Sequence, residues 1–391
     1  MPQPHEQDLR MRLLHTADWH LGRTLRARSF LDDQEWLLLG QFLAMVKDTR
    51  PDAVVIAGDV YDRAVPPADA VELLDEVLAR IVLGCRVPVV MIAGNHDDPR
   101  RLAFGAPLLR EAGLHVAKGA LAEAFPFQDR HGPVSILAAG YGSPALVATL
   151  LGDGSGISDH DEAFAAICAQ ARGLARPGAR SVLVAHGFVH GGVTSESERA
   201  LQIGGTGAVS AAHLSGFDYV ALGHLHRRQA MDGGRVAYAG SPLAYSFSEA
   251  GSTKSVSLVE IGRDGGVTAE EIVLSPRTQL RCLRGTLAEV LAAAHGPGRE
   301  DWLQVTLTEP AFGAKPRLDE RYPSVLELRF DLAPLGATAG RPLDSPSASP
   351  LAMLEAFWET IGAGPLAQEE RAHAIAAIEA ATAADPGREE G

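Results

Sequence analysis

Seven carboxylate, carboxamide and imidazole side chains fall in short polar groups that each follow an apolar run. Asp18 and His20 stand in TADWH, Asp59 in AGDVYD and Asn95 in AGNHDD, with His186 in AHG and His224 and His226 in ALGHLH. Oxygen and nitrogen donors without thiolate suit manganese, iron or zinc in five- or six-fold coordination. Seven donors are too many for one ion, and two ions sharing a bridging carboxylate absorb them. Two metals roughly 3.5–4 Å apart clamp the attacking and departing oxygens of an in-line displacement, which is what phosphate ester hydrolysis needs. Asp18/His20 and His224/His226 are i, i+2 pairs, whose members reach one site if the chain stays extended. His96 adjoins Asn95 and diverges from it, so it is expected over the substrate, steadying phosphoryl oxygens or protonating the leaving oxygen. Asp97 is expected to orient it by a hydrogen bond. Any single GD or GNHD is equally a turn chosen for backbone freedom; the repetition argues for chemistry. His15 reads as a core residue of the first strand and His190 as a surface-loop residue.

The elements that must position these groups are short strands alternating with helical patterns. Strands are expected over residues 12–17, 53–57, 87–93, 134–139, 181–185 and 219–222. Helical spacing links Trp36, Leu39, Phe42, Leu43 and Val46, then Val71, Leu74, Leu78 and Ile81, then Phe164, Ile167, Cys168 and Ala171. This alternation predicts an α/β architecture, and ligand sites in such sheets gather beyond the carboxyl ends of strands. Further strands at 234–240, 252–261 and 267–274, with a DGG turn at 264–266, favour a mixed sheet or two packed sheets over a purely parallel one. A boundary is expected near Pro276. Beyond it lie a helix at 287–294, strands at 302–307 and 325–330, and a Pro/Ser/Gly-rich linker at 337–350. Two helical stretches follow, with Leu351, Leu354, Phe357, Trp358 and Ile361, then Ala372, Ile375 and Ile378. They pack on their own domain or dock on a partner.

The chain has 391 residues with 35 basic and 49 acidic side chains, a formal charge of −14. That argues against coating nucleic acid or anionic membrane by bulk electrostatics, although bound divalent metals add local positive charge. Cys85, Cys168 and Cys282 are odd in number and widely spaced, so no disulfide framework is expected and a reducing compartment fits. No run of about 18 apolar residues occurs, and a cytoplasmic protein is expected.

The ordered set DxH, GD, GNHD, H and GHxH resembles the calcineurin-like metallophosphoesterase superfamily. LHTADWHLGRTL, GDVYDRAVPP, TSESERALQIGG and YVALGHLHRRQ, followed by YAGSPLAYSFSEAG and STKSVSLVEI, are more closely similar to the SbcD family of nuclease subunits of bacterial SbcCD complexes. The resemblance is strong over residues 11–276 and looser beyond, where RYPSVLEL carries it. It implies a four-layer α/β fold, two packed mixed β-sheets flanked by helices, with a small α+β accessory domain and C-terminal helices. The implied parts are a nuclease domain at 11–276, a DNA-positioning domain at 277–336, a linker at 337–350 and a partner-docking segment at 351–383. It further implies two Mn²⁺, one on Asp18, His20, Asp59 and His226 and the other on Asp59, Asn95, His186 and His224. Asp59 is then the bridge and His96 the phosphate-facing catalytic residue. Mn²⁺ is preferred because several histidines suit the softer ion, with Mg²⁺, Zn²⁺ or Fe as substitutes. The implied activity is exonuclease and endonuclease cleavage of double-stranded DNA in end processing and repair, by a nucleoid-associated homodimer with an SbcC-like ATPase subunit. Arg23, Arg26, Arg28, Arg227 and Arg228 are expected to meet DNA phosphates at the cleft rim. Two further readings are a same-fold hydrolase of a nucleotide or other small phosphoester, and a non-catalytic structural subunit of an ATPase complex. The intact donor set argues against the last.

Overall fold

The computed structural model describes residues 10–152, 155–198, 207–295, 298, 300–331, 349–360 and 365–384. Nearly all of the expected linker at 337–350, Ile361, and residues 199–205 of TSESERALQIGG lie outside the described residues. The chain divides into two compact units, Met1–Leu280 and Arg281–Gly391. The division thus falls just beyond the boundary expected near Pro276.

Among the described residues, fourteen strands belong to the first unit. They are β1 (Met11–Thr16), β2 (Thr24–Leu25), β3 (Arg28–Ser29), β4 (Ala53–Ile56), β5 (Val89–Met91), β6 (Leu114–Val116) and β7 (Glu123–Asp129), then β8 (Gly132–Ala138), β9 (Arg180–His186), β10 (Tyr219–Gly223), β11 (Gln229–Met231), β12 (Val236–Tyr238), β13 (Lys254–Ile261) and β14 (Val267–Leu274). Apart from the β2–β3 hairpin they form two six-stranded sheets, in the orders β14-β13-β1-β4-β5-β6 and β11-β12-β10-β9-β8-β7. Both are mixed. In the first, β1, β4, β5 and β6 are parallel, while β13 runs antiparallel to β1 and β14 to β13. In the second, β8, β9, β10 and β12 are parallel and the edge strands β7 and β11 are antiparallel.

Period-two alternation explains the layering. Leu13, Val55 and Val90 of the first sheet share one buried cluster with Ile136, Val182, Val184 and Ala221 of the second. Their neighbours Leu137, Leu183, Val220 and Leu222 point the other way, onto Val147, Phe164, Ile167 and Ala171 of the helices Pro144–Leu151 and His160–Leu174. On the outer face of the first sheet, Met91, Leu114 and Val116 lie beside Leu74, Leu78 and Val82 of the helix Ala68–Ala79 and its continuation Arg80–Cys85. The expected face of the first helix is displaced. A π-helical stretch, Trp36–Phe42, buries Leu37 and Leu38 and leaves Trp36 exposed, because each wider turn advances the register.

The second unit has a three-stranded sheet, β15 (Leu280–Gly285), β16 (Trp302–Leu307) and β17 (Val325–Phe330). The helix Leu287–Ala292 begins on a reciprocal Thr286/Glu289 cap, which satisfies two otherwise orphaned N–H groups. Leu287, Val290, Leu303, Val305, Leu318 and Tyr322 form its core. The C-terminal helices Pro350–Thr360 and Gln368–Ala384 reach this unit through Phe312, whose ring meets Trp358 at 6.3 Å and His373 at 5.7 Å. No helix among the described residues is long and apolar enough to cross a membrane.

Candidate metal centre

Each chemical group follows a parallel strand at its carboxyl end. Asp18 and His20 follow β1, Asp59 follows β4 and Asn95 follows β5; His186 closes β9, and His224 and His226 follow β10. Strands of both sheets therefore deliver side chains to one rim. The loops are tied together by backbone bonds: the N–H groups of Asp18 and His20 donate to the carbonyls of Gly58 at 3.0 Å and Asp59 at 2.9 Å. The chain is not extended here. Asp18, His20, Asp59 and His224 have φ of 54°, 45°, 48° and 105°, left-handed backbone that side-chain-bearing residues adopt at a cost and that gathers at functional sites. The extended backbone expected for the two i, i+2 pairs is therefore replaced by left-handed turns. Asp18 and His20 do converge, whereas His224 and His226 part into different clusters.

Those clusters are Asp18, His20 and His226, and Asp59, His186 and His224, each with ligand atoms within 4.8 Å of one another. Asp59 Oδ2 joins them, 3.6 Å from His20 Nε2 and 3.4 Å from His186 Nε2. Asn95 Oδ1 lies 2.9 Å from His186 Nε2 and 3.1 Å from His224 Nδ1. All six Asp and His side chains are buried. Burial pushes the Asp18 carboxyl well above its ordinary value. It would raise Asp59 too, but His186, then His20 and His96, outweigh it and hold that carboxyl well below. Burial lowers His20 strongly and takes His224 to about 3. For His186 burial is outweighed by Asp59 and Asp18, and it rises to about 9.

The donor set fits divalent cations. His186 Nδ1 donates to the Ala57 carbonyl at 2.9 Å, which directs Nε2 at the oxygens of Asp59 and Asn95, where a bound cation would take the place of the ring's second proton. His20 Nε2 and His226 Nε2 face each other at 3.0 Å, and His20 Nδ1 is buried with no hydrogen bond among the described residues. Nitrogen and oxygen donors gathered this closely and withdrawn from water are favoured by a positive charge among them. Carboxylate, carboxamide and imidazole together are the ligands of manganese, iron or zinc.

His96 is half-buried beside this centre, its ring edge-on to His20 at 4.7 Å. Its Nδ1 donates to the Asp62 carbonyl at 2.7 Å. The expectation that Asp97 orients His96 is therefore corrected. Asp97 accepts from the N–H groups of Val60 at 3.0 Å, Tyr61 at 2.9 Å and Gly94 at 2.9 Å. It thereby ties the loop carrying Asp59 to the loop carrying Asn95. Burial, then Asp59, raises the Asp97 carboxyl to about 6 despite these bonds.

Of the five arginines, Arg23 and Arg228 are half-buried and the other three exposed. Arg23 is engaged, donating to Asp62 Oδ1 at 3.0 Å and the Ser197 carbonyl at 3.2 Å with its guanidinium over Tyr245. Arg228 donates to Ser257 Oγ at 3.1 Å and pairs with Glu271 at 3.4 Å. Arg26 and Arg28, on the β2–β3 hairpin, and Arg227 are exposed. His15 is a core residue, with Nδ1 2.9 Å from the Tyr219 hydroxyl, and His190 is exposed in a loop.

Sequence reasoning missed the residues that brace the ligand loops. Gln34 Nε2 donates to the carbonyls of Trp19 and His20, both at 2.9 Å, while its Oε1 accepts from Gly22 N–H at 3.1 Å. The Tyr245 hydroxyl also donates to the Trp19 carbonyl. Glu198 accepts the His226 N–H at 2.8 Å. Gln34 stands between acidic residues in LDDQE, where nothing in the sequence marks it as buried. Tyr245 and Glu249 sit in the YAGSPLAYSFSEAG block, whose distinctiveness was visible but whose role was not.

A model of the calcineurin-like phosphoesterase family matches residues 11–228, more than half of the chain. Among solved structures, a dimetal phosphatase from Danio rerio aligns with a TM-score of 0.37 at 16% identity, over 68% of this chain and 100% of that one.

Proposed function

The chain belongs to the calcineurin-like phosphoesterase family, and from that premise we propose that this metal-dependent phosphoesterase cleaves the phosphodiester bonds of double-stranded DNA. The observation that carries the hydrolase reading is the pair of buried Asp/His clusters joined by Asp59. Asp18, His20, Asp59 and His226 hold one ion in this reading, and Asp59, Asn95, His186 and His224 the other, with Mn²⁺ preferred. When bound, two divalent ions supply Lewis acidity to the phosphoryl group and lower the pKa of the attacking water.

The chain's own residues set the geometry. Asp97 fixes the spacing of the Asp59 and Asn95 loops through three backbone bonds. The Asp62 carbonyl holds His96 by Nδ1, which leaves Nε2 to face the substrate and, when the ring is charged, to pass a proton to the departing oxygen. Exposed Arg26, Arg28 and Arg227 are suited to backbone phosphates, contacts that position DNA without reading its sequence.

The DNA assignment is supported by the likeness of residues 238–251 to SbcD-type subunits, since that segment supplies the wall behind His226. A net charge of −14 makes a partner that holds the duplex reasonable, and the reading includes an SbcC-like ATPase. It also includes a homodimer, for which Phe104 and Leu108, 85% and 80% exposed beside an apolar groove, offer a contact face. A nucleotide or another small phosphoester is the second reading. It is favoured by the breadth of the family match, which marks phosphoesterases in general.

The deciding experiment incubates metal-free protein and its His96→Ala variant with Mn²⁺ and either end-labelled linear duplex or bis-p-nitrophenyl phosphate. Mn²⁺-dependent shortening of the duplex by the parent alone is expected. Turnover of the small ester with an untouched duplex, even with an SbcC-like partner and ATP, transfers the assignment to the second reading.

A further inference from the structure

Two of the candidate ligands, His186 and His226, have their second ring nitrogen engaged inside the protein, by different means. His186 Nδ1 meets a main-chain acceptor, the Ala57 carbonyl. His226 Nδ1 meets a side chain, Ser197 Oγ, at 2.6 Å. A hydroxyl can give or take a hydrogen bond, so Ser197 alone leaves the His226 tautomer undefined.

What defines it is the next residue in line. Ser197 Oγ also bonds Glu249 Oε1, and a carboxylate can only accept. Glu249 is kept in that form by Lys254, whose ammonium contacts Oε2 inside the protein. The single hydroxyl proton of Ser197 is thus directed to Glu249, and the oxygen's lone pair turns to His226 Nδ1, while neighbouring Ser195 Oγ donates to Glu198 Oε2 at 2.8 Å. His226 must then carry its proton on Nδ1 and present the Nε2 lone pair to the side where His20 Nε2 lies at 3.0 Å. Ser197, His226, Glu249 and Lys254 are all buried, so water does not compete. The same lysine donates to the His226 carbonyl at 2.9 Å, and Ser241 N–H donates to it at 3.1 Å. The residue is therefore held at its N–H, its carbonyl and its ring from three separate segments.

We propose that Ser197, with Glu249 and Lys254 behind it, is a positioning relay that sets the His226 tautomer and so prepares one of the two metal positions, the one shared with Asp18 and His20. The proposal rests on the binuclear reading given above. Among the described residues no matching relay serves His186, whose acceptor is the Ala57 carbonyl and cannot be removed by substitution. Damage to Ser197 should accordingly fall on one ion and spare the other. Outer partners of metal-bound histidines typically carry 10–100-fold in affinity.

The test compares the parent with Ser197→Thr and Ser197→Val, which differ from each other only in the hydroxyl, and with Ser197→Ala. Mn²⁺ binding is measured by equilibrium dialysis, and imidazole tautomers by ¹⁵N NMR of the metal-free proteins. Two sites are expected in the parent and in Ser197→Thr. In Ser197→Val and Ser197→Ala one site should weaken about 10–100-fold while the other keeps its affinity, and the Nδ1-protonated signature of His226 should be lost. If Ser197→Val does not fold, Ser197→Ala carries the comparison, since removing one oxygen adds no bulk. Parent-like affinities at both sites in the alanine variant, or a His226 ring protonated on Nε2 in the parent, would overturn the relay. A parent that binds no Mn²⁺ would instead defeat the binuclear reading.

Discussion

Replacing Gly94 with alanine tests the placement of Asp59 more directly than replacing Asp59 itself, because it leaves every donor in the sequence. A Cβ built on Gly94 lies 2.1 Å from Asp59 Oδ1 and 2.3 Å from Asp59 N. Ordinary contact begins at about 3.4 Å, so the carboxylate and its own backbone must each retreat by roughly 1 Å. The side chain has no free direction, since Asp59 Oδ1 also accepts the His96 N–H at 2.9 Å and Oδ2 faces His20 and His186. Overpacking of this kind costs about 1–3 kcal/mol. Misplacement near 1 Å is worth about 100-fold in rate, and a shift of the shared carboxylate strikes both metal positions together. The comparison protein is Gly40→Ala, whose Cβ meets nothing within 4 Å and which should be neutral or stabilising by up to about 1 kcal/mol. Urea unfolding of the metal-free proteins and Mn²⁺ titration give the two readouts. Gly94→Ala should lose stability in the first and affinity at both sites in the second. If it matched Gly40→Ala in both, Asp59 would not be where the two clusters meet.

Two further outcomes follow from the same geometry. Burial drives His15 down to about 3 from 6.5, so between those values the unfolded chain binds a proton that the native chain refuses. Stability should fall as pH drops through that window, by about 1.4 kcal/mol per pH unit from this residue. His15→Gln should show a slope shallower by one proton, and identical slopes in acid unfolding curves would refute the assignment. Asp97→Ala should leave the N–H groups of Val60, Tyr61 and Gly94 without their acceptor, at about 1 kcal/mol or more each. Should that variant unfold at the parent's urea midpoint, the loop-tying role of Asp97 would have to be abandoned.

The parts of this molecule legible in its sequence are those governed by local periodicity. The apolar runs that become β1, β4, β9 and β10 announce themselves, and the polar groups after them mark the rim. Short strands such as β6 carry too few residues for a period, and β7 carries Pro126, a residue that argues against a strand although it falls on the exposed side of a regular alternation. The π-helical turns are equally silent, because inserting a residue into a turn changes which face is buried without changing composition. At the site, donor identity was legible and support was not. Asp97 adjoins His96 in the chain and looked like its partner, yet a carboxylate between two loops finds three backbone donors and turns to them. Gln34, Ser197, Glu198 and Lys254 act on residues far away in sequence, and no spacing rule connects them.

The register of β1 bears on how the protein is assembled during synthesis. Met11 pairs with Ile261 and His15 with Ser257, so an inner position of the first sheet is completed only after almost the whole unit has been translated. Non-local pairing of this kind slows folding, since the chain must close a long loop before the contact repays it. Until residues 254–261 emerge, β1 is an unpaired edge, the kind of strand that recruits wrong partners. A nascent chain that has reached residue 228, the end of the family match, already carries all seven donors. It still lacks β13 together with Glu249 and Lys254. Metal capture by such an intermediate would be premature, and a chain shortened to its recognisable family region should aggregate rather than yield a minimal enzyme.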